Sequence, residues 1–488
     1  MKVAFAYIDP SYQQMGPFHV GIASLIACLL QEGHDCCFLH LTGDVADDEF
    51  AAFVERERPG MVAFSLTANA FPHAARLASL AKQKGQTFNV CGGVHATLCP
   101  DEVIAVRDID AVCIGEGEGA LLDLCNTLEA GGDISVIPNL WVKGLEKGEL
   151  YKNDLRPLIE DLDSLPFPDR RVFPFERSFD LGFMKRGVFM GSRGCPYNCT
   201  YCCSPAVKRL YGGKKYIRFR SPNNLIEEVE RVTKDLPQAE YHVFHDDLLP
   251  MDKGWFAEFT RLYRQRVNIP FEMNCHPGLM DRDIARMARE AGCSLVRFGI
   301  ESGNEHIRRE VLERHIGDKG IIDAFACCDQ AGIQTLSYNM VGLPHETRGQ
   351  MLDTVRLNAR VKPAVAHVSV FYPYPGTQAY EVCRDRGWLT DRHTDSYYED
   401  SVLSQPSASP GQIRALRRRF DGLVRLYAGC GKMPPPLATI CRRLIDLALA
   451  LRLDGLLVRL TGVPQREGEK GDAVYTIEGG AVKVWGAD

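Results

Sequence analysis

The chain has 488 residues, enough for roughly two to four domains and a substantial core. Its 57 Lys plus Arg stand against 63 Asp plus Glu, a formal net charge of −6 that excludes a general nucleic-acid-binding surface. No apolar run reaches the roughly 18 residues that span a bilayer, and MKVAFAYIDPSYQQ lacks a signal peptide's apolar core and cleavage site, so a cytoplasmic protein is expected. In a reducing cytosol the 18 cysteines read as buried small residues, metal ligands or redox thiols rather than disulfides. Cys28, Cys36, Cys91, Cys113, Cys293 and Cys327 sit in apolar, periodic surroundings and read as core.

Residues 1–130 alternate short apolar runs (KVAFAYI, DCCFLHL, MVAFSLT, FNVCGG, AVCIG) with helical patterns, the spacing of βαβ units and a parallel sheet. The helix before Gly33 carries Val20, Ile22, Leu25, Ile26 and Leu29 on one face, with Gly33 as its C-terminal cap. An α/β, doubly wound, Rossmann-like domain is expected, and such a sheet binds ligands beyond the carboxyl ends of its strands. Those ends read Ser65-Leu66-Thr67 after the third strand, Gly92-Gly93-Val94-His95-Ala96-Thr97 after the fourth and Gly115-Glu116-Gly117-Glu118 after the fifth. Glycines admit a ligand close to the backbone, and Ser, Thr and helix N-termini supply donors; the bland alternative is tight turns. No complete GxGxxG fingerprint is present, which speaks against a nicotinamide or flavin.

Residues 131–185 form an ordered linker: NLWVKGLEKGELYKN alternates like a hairpin, and proline-spaced DLDSLPFPDRRVFPF follows. From 186 to 400 the alternation resumes with GVFMGS, YHVFHD, FEMNC, SLVRFGI, QTLSYNMVG and AHVSVFYP, each followed by a helical pattern. Six βα units predict a partial (βα)6 barrel of the TIM type, with its chemistry at the C-terminal ends of the strands. Residues 401–488 read as a small helical region with a terminal hairpin around Gly479-Gly480.

The stretch SRGCPYNCTYCCS follows the first barrel strand. Cys195, Cys199 and Cys202 form C-x3-C-x2-C, three thiolates that one loop can turn toward one centre. A four-iron cluster ordinarily takes four cysteines, so a compact trio points to a cluster with one iron left open. Zinc is the rival, although no second C-x2-C or H-x3-H pair appears downstream. Cys203 remains spare and reads as a small buried neighbour.

This cysteine loop, with Tyr201 just before its last cysteine, resembles the signature of the radical S-adenosylmethionine (SAM) superfamily. The resemblance implies a 4Fe-4S cluster on Cys195, Cys199 and Cys202, its open iron chelated by SAM, and reductive cleavage of SAM to methionine and a 5'-deoxyadenosyl radical. An electron donor such as flavodoxin or ferredoxin is implied with it. His245, Asp246 and Asp247 occupy the position of the family's contacts to the SAM amino group. Glu301 and Ser302 lie in a stretch resembling GxESG, and Gly342 in one resembling GLPxET; both imply SAM contacts, as does Tyr201. Pro373-Tyr374-Pro375-Gly376-Thr377 resembles a PxPGT turn.

The GGxHxT and GEGE edges, joined to the barrel through LPFPDR, resemble the cobalamin-binding branch of that superfamily, similar to class B methyltransferases and to the anaerobic magnesium-protoporphyrin monomethyl ester cyclase group. The resemblance covers about 1–400 and makes Ser65, Thr67, Asn69, Gly92, Gly93, His95, Thr97, Gly115, Glu116, Gly117 and Glu118 candidate cobalamin contacts. The D-x-H-x-x-G motif is missing, so His95 is expected to touch the corrin or its tail rather than cobalt, and Asn69 to Phe71 to lie beneath the metal. His95 as a neutral packing residue is the alternative.

The implied activity is methylation of an unactivated carbon in a small molecule, a lipid or natural-product precursor among the candidates, through hydrogen abstraction and methylcobalamin. The alternatives are an oxidative cyclase or rearrangement enzyme without methyl transfer, and a non-catalytic cobalamin or iron-sulfur sensor. No catalytic acid or base is named by the sequence; Tyr372 and Tyr374 at the barrel mouth read first as packing. The helix LATICRRLIDLALALRLDGLLVRLTG, with Arg442, Arg443, Arg452 and Arg459, reads first as a cap on the barrel's open side and second as a membrane-surface helix.

Overall fold

A strand that is apolar on both faces has to be covered on both faces. The computed structural model describes residues 1–10, 18–42, 46–144, 148–173, 186–213, 215–392, 394, 396, 398, 400–451, 456, 475–478 and 481–484. In its first sheet β1 (Lys2–Asp9), β2 (Asp35–Thr42), β3 (Met61–Ser65), β4 (Phe88–Gly92) and β5 (Ala111–Cys113) run parallel. The order is β2-β1-β3-β4-β5-β6-β7, with β6 (Leu140–Lys143) and β7 (Leu150–Lys152) antiparallel at the edge. The hairpin expected within the linker thus extends this sheet, Trp141 pairing with Val112. Because β1 lies between β2 and β3, the chain reverses its winding there, which opens a crevice beyond the ends of β1 and β3.

Helix α1 (Val20–Gln31) buries Ile22, Ile26 and Leu29, while Val20 and Leu25 are only partly covered. Gly33 takes φ +83°, and the His34 N–H closes the helix on the Leu29 carbonyl at 3.0 Å. Cys28, Cys36, Cys91, Cys113 and Cys293 are buried free thiols, whereas Cys327 is half-buried.

A second, parallel sheet is built from β8 (Arg186–Phe189), β11 (Tyr241–Phe244), β12 (Phe271–Cys275), β13 (Cys293–Glu301), β14 (Gln334–Val341) and β15 (Val365–Val370). Each strand neighbours the next in that series, and β8 and β15 form opposite edges, so the barrel is open. The short strands β9 (Ser192–Arg193) and β10 (Arg218–Phe219) pair antiparallel between the first two. The architecture is α/β with a doubly wound first sheet and a partial barrel, as expected. Arg170 of the linker reaches the β8 edge, donating to the Val188 carbonyl at 2.8 Å and to Glu228 at 2.6 Å.

The helix Pro410–Cys430 packs on β14, β15 and the helix Arg348–Val361. The helix Pro435–Ala450, expected as the cap, instead rides outside it, burying Ile445 and Leu449 and exposing Leu437, Ile440, Leu444 and Leu447. Arg442 and Arg443 are exposed on it, and Arg452 and Arg459 lie outside the described residues. Strands Tyr475–Glu478 and Ala481–Val484 pair antiparallel; Gly479-Gly480 and residues 174–185 of the linker also lie outside the described residues. Among the described residues no helix is long and apolar enough to cross a membrane.

After β13 the chain passes so close to the helix Arg348–Val361 that a Cβ on Gly303 would stand 2.2 Å from the Asp353 carbonyl oxygen and 2.3 Å from the Thr354 Cα. Backbone cannot yield as a side chain can. Gly303→Ala is expected to cost about 1–3 kcal/mol, read as a lowered urea midpoint with an unchanged slope.

Candidate active site

The C-terminal ends of the barrel strands face one side, and the cysteine loop begins there, just past β8. Asp246, fully buried after β11, fixes the start of the loop. Its two carboxylate oxygens each accept the Gly191 N–H at 3.0 Å, and one also accepts the Ser192 hydroxyl at 2.5 Å. Burial pushes this carboxyl up to about 6. Gly194 takes φ +94° where a Cβ would meet the Tyr216 carbonyl oxygen at 2.4 Å, so only glycine fits immediately before Cys195. Further along, Tyr197 stacks on His276 with ring centroids 4.0 Å apart, and Thr200 donates its N–H to Leu312 at 3.1 Å and its hydroxyl to Val311 at 2.7 Å. The loop is pinned from β11, from the end of β12 and from the turn beyond β13.

Cys195, Cys199 and Cys202 lie within electrostatic reach of one another. Burial pushes the Cys195 thiol up to about 12 and raises the Cys199 thiol as well. Such thiols ionise when a bound cation supplies the balancing charge. Around one tetrahedral zinc, sulfurs at ~2.3 Å from the metal sit about 3.8 Å apart. Among the described residues, the trio is not a set whose ligand atoms all come within 4.8 Å of one another. Close yet splayed thiols suit the corners of a cluster better than mononuclear zinc. Cys203 lies within electrostatic reach of Cys202, and the Ser204 N–H donates to the Cys202 sulfur at 3.4 Å.

Behind Cys199 stands Arg314, which the sequence reading did not single out. One guanidinium nitrogen donates to the Cys199 sulfur at 3.8 Å and another to the Gly299 carbonyl at 2.5 Å. Glu301 sits beside it at φ +67°, in a register irregularity of β13 that a non-glycine residue adopts only under constraint. Tyr201 and Glu301 lie within electrostatic reach of each other, and burial raises the pKa of both groups. Asp247 is exposed and within electrostatic reach of Cys195 and Cys202. His245 is half-buried with an unpartnered Nε2, and burial, with Arg297 and Arg186 nearby, lowers its pKa to about 3.

Two other expected SAM residues are occupied with the loops themselves. Ser302 is buried, its hydroxyl 3.3 Å from Glu346, whose other oxygen accepts the N–H groups of Gly342 at 2.9 Å and Leu343 at 3.1 Å. Burial drives the Glu346 carboxyl up to about 8.

On the first sheet, Glu116 and Glu118 reach across to the barrel. Glu116 accepts from Arg193 at 2.8 Å, from Arg218 at 2.9 Å and from the Ile159 N–H at 2.9 Å, while Glu118 accepts from Arg193 at 2.5 Å and from Ser24 at 3.1 Å. These arginines hold the Glu116 carboxyl below the usual range against the opposing effect of burial. The Tyr211 hydroxyl accepts the Glu116 N–H at 3.2 Å. Thr97 is internal, accepting the Gly115 N–H at 3.0 Å and donating to Gly93 at 2.9 Å. Thr67 is exposed and donates to Asn69, itself buried, at 2.6 Å. His95 is buried on the short helix Gly93–Leu98, its ring 4.9 Å from Phe71 and its Nε2 3.5 Å from Glu102; burial lowers its pKa to about 4. That helix packs on the helix Cys203–Leu210 directly after the cysteine loop.

A cavity of about 420 Å³ lies between the two sheets. Ser65, Gly92, Gly93, Gly115, Glu116, Gly117 and Glu118 line it from the first sheet, and Met190, Ser192 and Arg193 from the approach to Cys195. Thr67, Asn69, His95 and Thr97 do not line it. The glycines and short polar groups at its wall fit a ligand lying along the strand ends.

Residues 190–357 match the radical SAM superfamily and residues 17–125 match the B12 binding domain. The chain thus carries a radical SAM domain behind a B12-binding domain, as the resemblance implied. This radical SAM chain is 28% identical over 407 residues to an uncharacterized methyltransferase, PH0819, of Pyrococcus horikoshii, covering 82% of this chain and 86% of the relative. It is 24% identical to the anaerobic magnesium-protoporphyrin IX monomethyl ester cyclase of Rubrivivax gelatinosus over 79% of this chain and 70% of that one. In fold it is similar to the radical SAM methyltransferase TsrM of Kitasatospora setae, solved with cobalamin and a [4Fe-4S] cluster, with a TM-score of 0.64, 15% identity and 84% of each chain covered. Its cofactors are a 4Fe-4S cluster, SAM and cobalamin.

Two outcomes follow from the site. Glu116→Gln leaves the Arg218 guanidinium, 7% exposed, without a carboxylate; a loss of about 1–3 kcal/mol is expected, read as a lower thermal midpoint together with faster proteolysis between the two sheets. Glu346, protonated up to about pH 8 when folded and to about 4.5 when unfolded, binds more protons folded than unfolded across that window. Stability contributed by this group is therefore full below 4.5 and declines as pH rises to about 8. Urea titrations at several pH values are expected to show that decline in the wild type and a flatter profile in Glu346→Gln.

Proposed function

We propose that the chain methylates an unactivated carbon of a small molecule, the hydrogen being abstracted by the 5'-deoxyadenosyl radical and the methyl group delivered by methylcobalamin. The observation that supports this reading best is the shared cavity: the strand ends of the B12-binding sheet and the approach to Cys195 line one space. When bound, the cluster with SAM supplies a hydrogen-abstracting radical, and cobalamin supplies a transferable methyl group.

Cys195, Cys199 and Cys202 would hold the cluster. Tyr201, His245, Asp247 and Glu301 would meet SAM, with Asp246, Ser302 and Gly342 shaping its loops. Ser65, Gly92, Gly93, Gly115 and Gly117 would lie along cobalamin, with Thr67, Asn69, His95 and Thr97 on the surrounding loops. Glu116 and Glu118 act in this reading by holding Arg193. The burial of Asp246, Ser302 and Glu346 keeps solvent hydrogen donors away, which a radical reaction requires more than it requires a general acid or base. The domain limits taken with this proposal are 1–130, 131–185, 186–400 and 401–488. A low-potential protein such as flavodoxin or ferredoxin would deliver the electron.

A second reading, oxidative cyclisation or rearrangement without methyl transfer, is favoured by the similarity to the magnesium-protoporphyrin cyclase. Anaerobically reconstituted protein incubated with methyl-deuterated SAM, a reductant and candidate lipid or natural-product extracts separates the two. Deoxyadenosine with a deuteromethylated product is expected, both lost in Cys199→Ala. Deoxyadenosine with an altered but unlabelled product would transfer support to the second reading, and intact SAM would remove both.

A further inference from the structure

We propose that Arg314 raises the reduction potential of the cluster held by Cys195, Cys199 and Cys202, through the bond from its guanidinium to the Cys199 sulfur. The inference rests on the cluster assignment above. Arg314 is 6% exposed, and the bonds to Cys199 at 3.8 Å and to Gly299 at 2.5 Å fix the plane of its fork. Its main chain is held too, the Arg314 N–H donating to the Arg308 carbonyl at 2.8 Å. Arginine stays protonated at any working pH, so this is a permanent positive charge in a poorly solvated place.

A cluster that accepts one electron becomes one unit more negative, while the donor is oxidised by one electron and no bond in the protein changes. An N–H aimed at a ligand sulfur and a fixed cation behind it both favour the more negative state. Asp247 lies within electrostatic reach of Cys195 and Cys202, and Glu301 within reach of Cys199, so Arg314 supplies positive charge among neighbouring carboxylates. Glu301 beside the guanidinium balances the buried charge without intercepting the nitrogen that faces the sulfur. Arg314 is on this account a positioning and tuning residue, and a role confined to propping the loop would leave the potential unmoved.

The test compares wild type, Arg314→Lys and Arg314→Gln, reconstituted anaerobically, first by iron and sulfide content and then by a redox titration followed by electron paramagnetic resonance without SAM. With iron content preserved, the Gln variant is expected to show about a tenfold smaller ratio of reduced to oxidised cluster at a fixed applied potential, a shift of about 59 mV for one electron. The Lys variant, which keeps the charge, is expected to recover most of that shift. A fully loaded Gln variant with the wild-type potential would overturn the proposal. Should the Gln variant fail to take up iron, the wild type decides: protein grown with nitrogen-15 arginine should show nitrogen-15 hyperfine coupling at the reduced cluster, and its lack would overturn the proposal equally. Wild type that assembles no four-iron cluster would instead defeat the cluster assignment itself, an outcome visible at the iron analysis before any potential is measured.

Discussion

The ion cluster of Glu116 and Glu118 with Arg193 and Arg218 ties the first sheet to the approach to the cysteine loop, beside an apolar core that runs from Val3 and Phe5 to Val188, Val243 and Leu295 of the barrel. Arg193 stands two residues before Cys195, so the carboxylates after β5 hold the approach to the cysteine loop together with Asp246. Partly buried charge pairs of this kind add little net stability, because desolvation consumes most of their attraction. Their value is positional. This one holds the cavity wall from the first sheet against the strand end from the second.

The same pattern recurs inside the barrel. Asp246 gathers Gly191 and Ser192, and Glu346 gathers Gly342 and Leu343. Each is a buried carboxyl at or just past the end of a strand, and each shapes a loop. Carboxyl groups serve this purpose well because two oxygens can receive several donors from one tight turn. The cost is a raised pKa, and it falls on the groups best shielded from solvent.

Much of this was legible in the sequence. The strand runs of both sheets alternate with helices at a spacing that admits few other topologies, and the cysteine trio announces itself by composition. What the sequence concealed was direction. Glu116, Glu118 and Asp246 sit at ligand-binding strand ends, yet their carboxylates are taken up by arginines and backbone, a choice made by partners 55 to 102 residues away. Arg314 was missed for the same reason: it lies in VLERHIG, an unremarkable stretch whose meaning depends on Cys199, 115 residues earlier. His276 likewise carries no local signal, and only the arrival of Tyr197 gives its ring a task. The hairpin of β6 and β7 was visible as a hairpin, but pairing to β5 is a long-range event that local alternation does not encode.

An incomplete barrel leaves a bare flank, and a bare flank invites a stranger's strand. On β8 that invitation is withdrawn by Arg170, whose guanidinium occupies the Val188 carbonyl and, in the same stroke, neutralises a glutamate that is 2% exposed. The segment that tethers the two halves thus also covers a carbonyl that another edge strand could otherwise pair with.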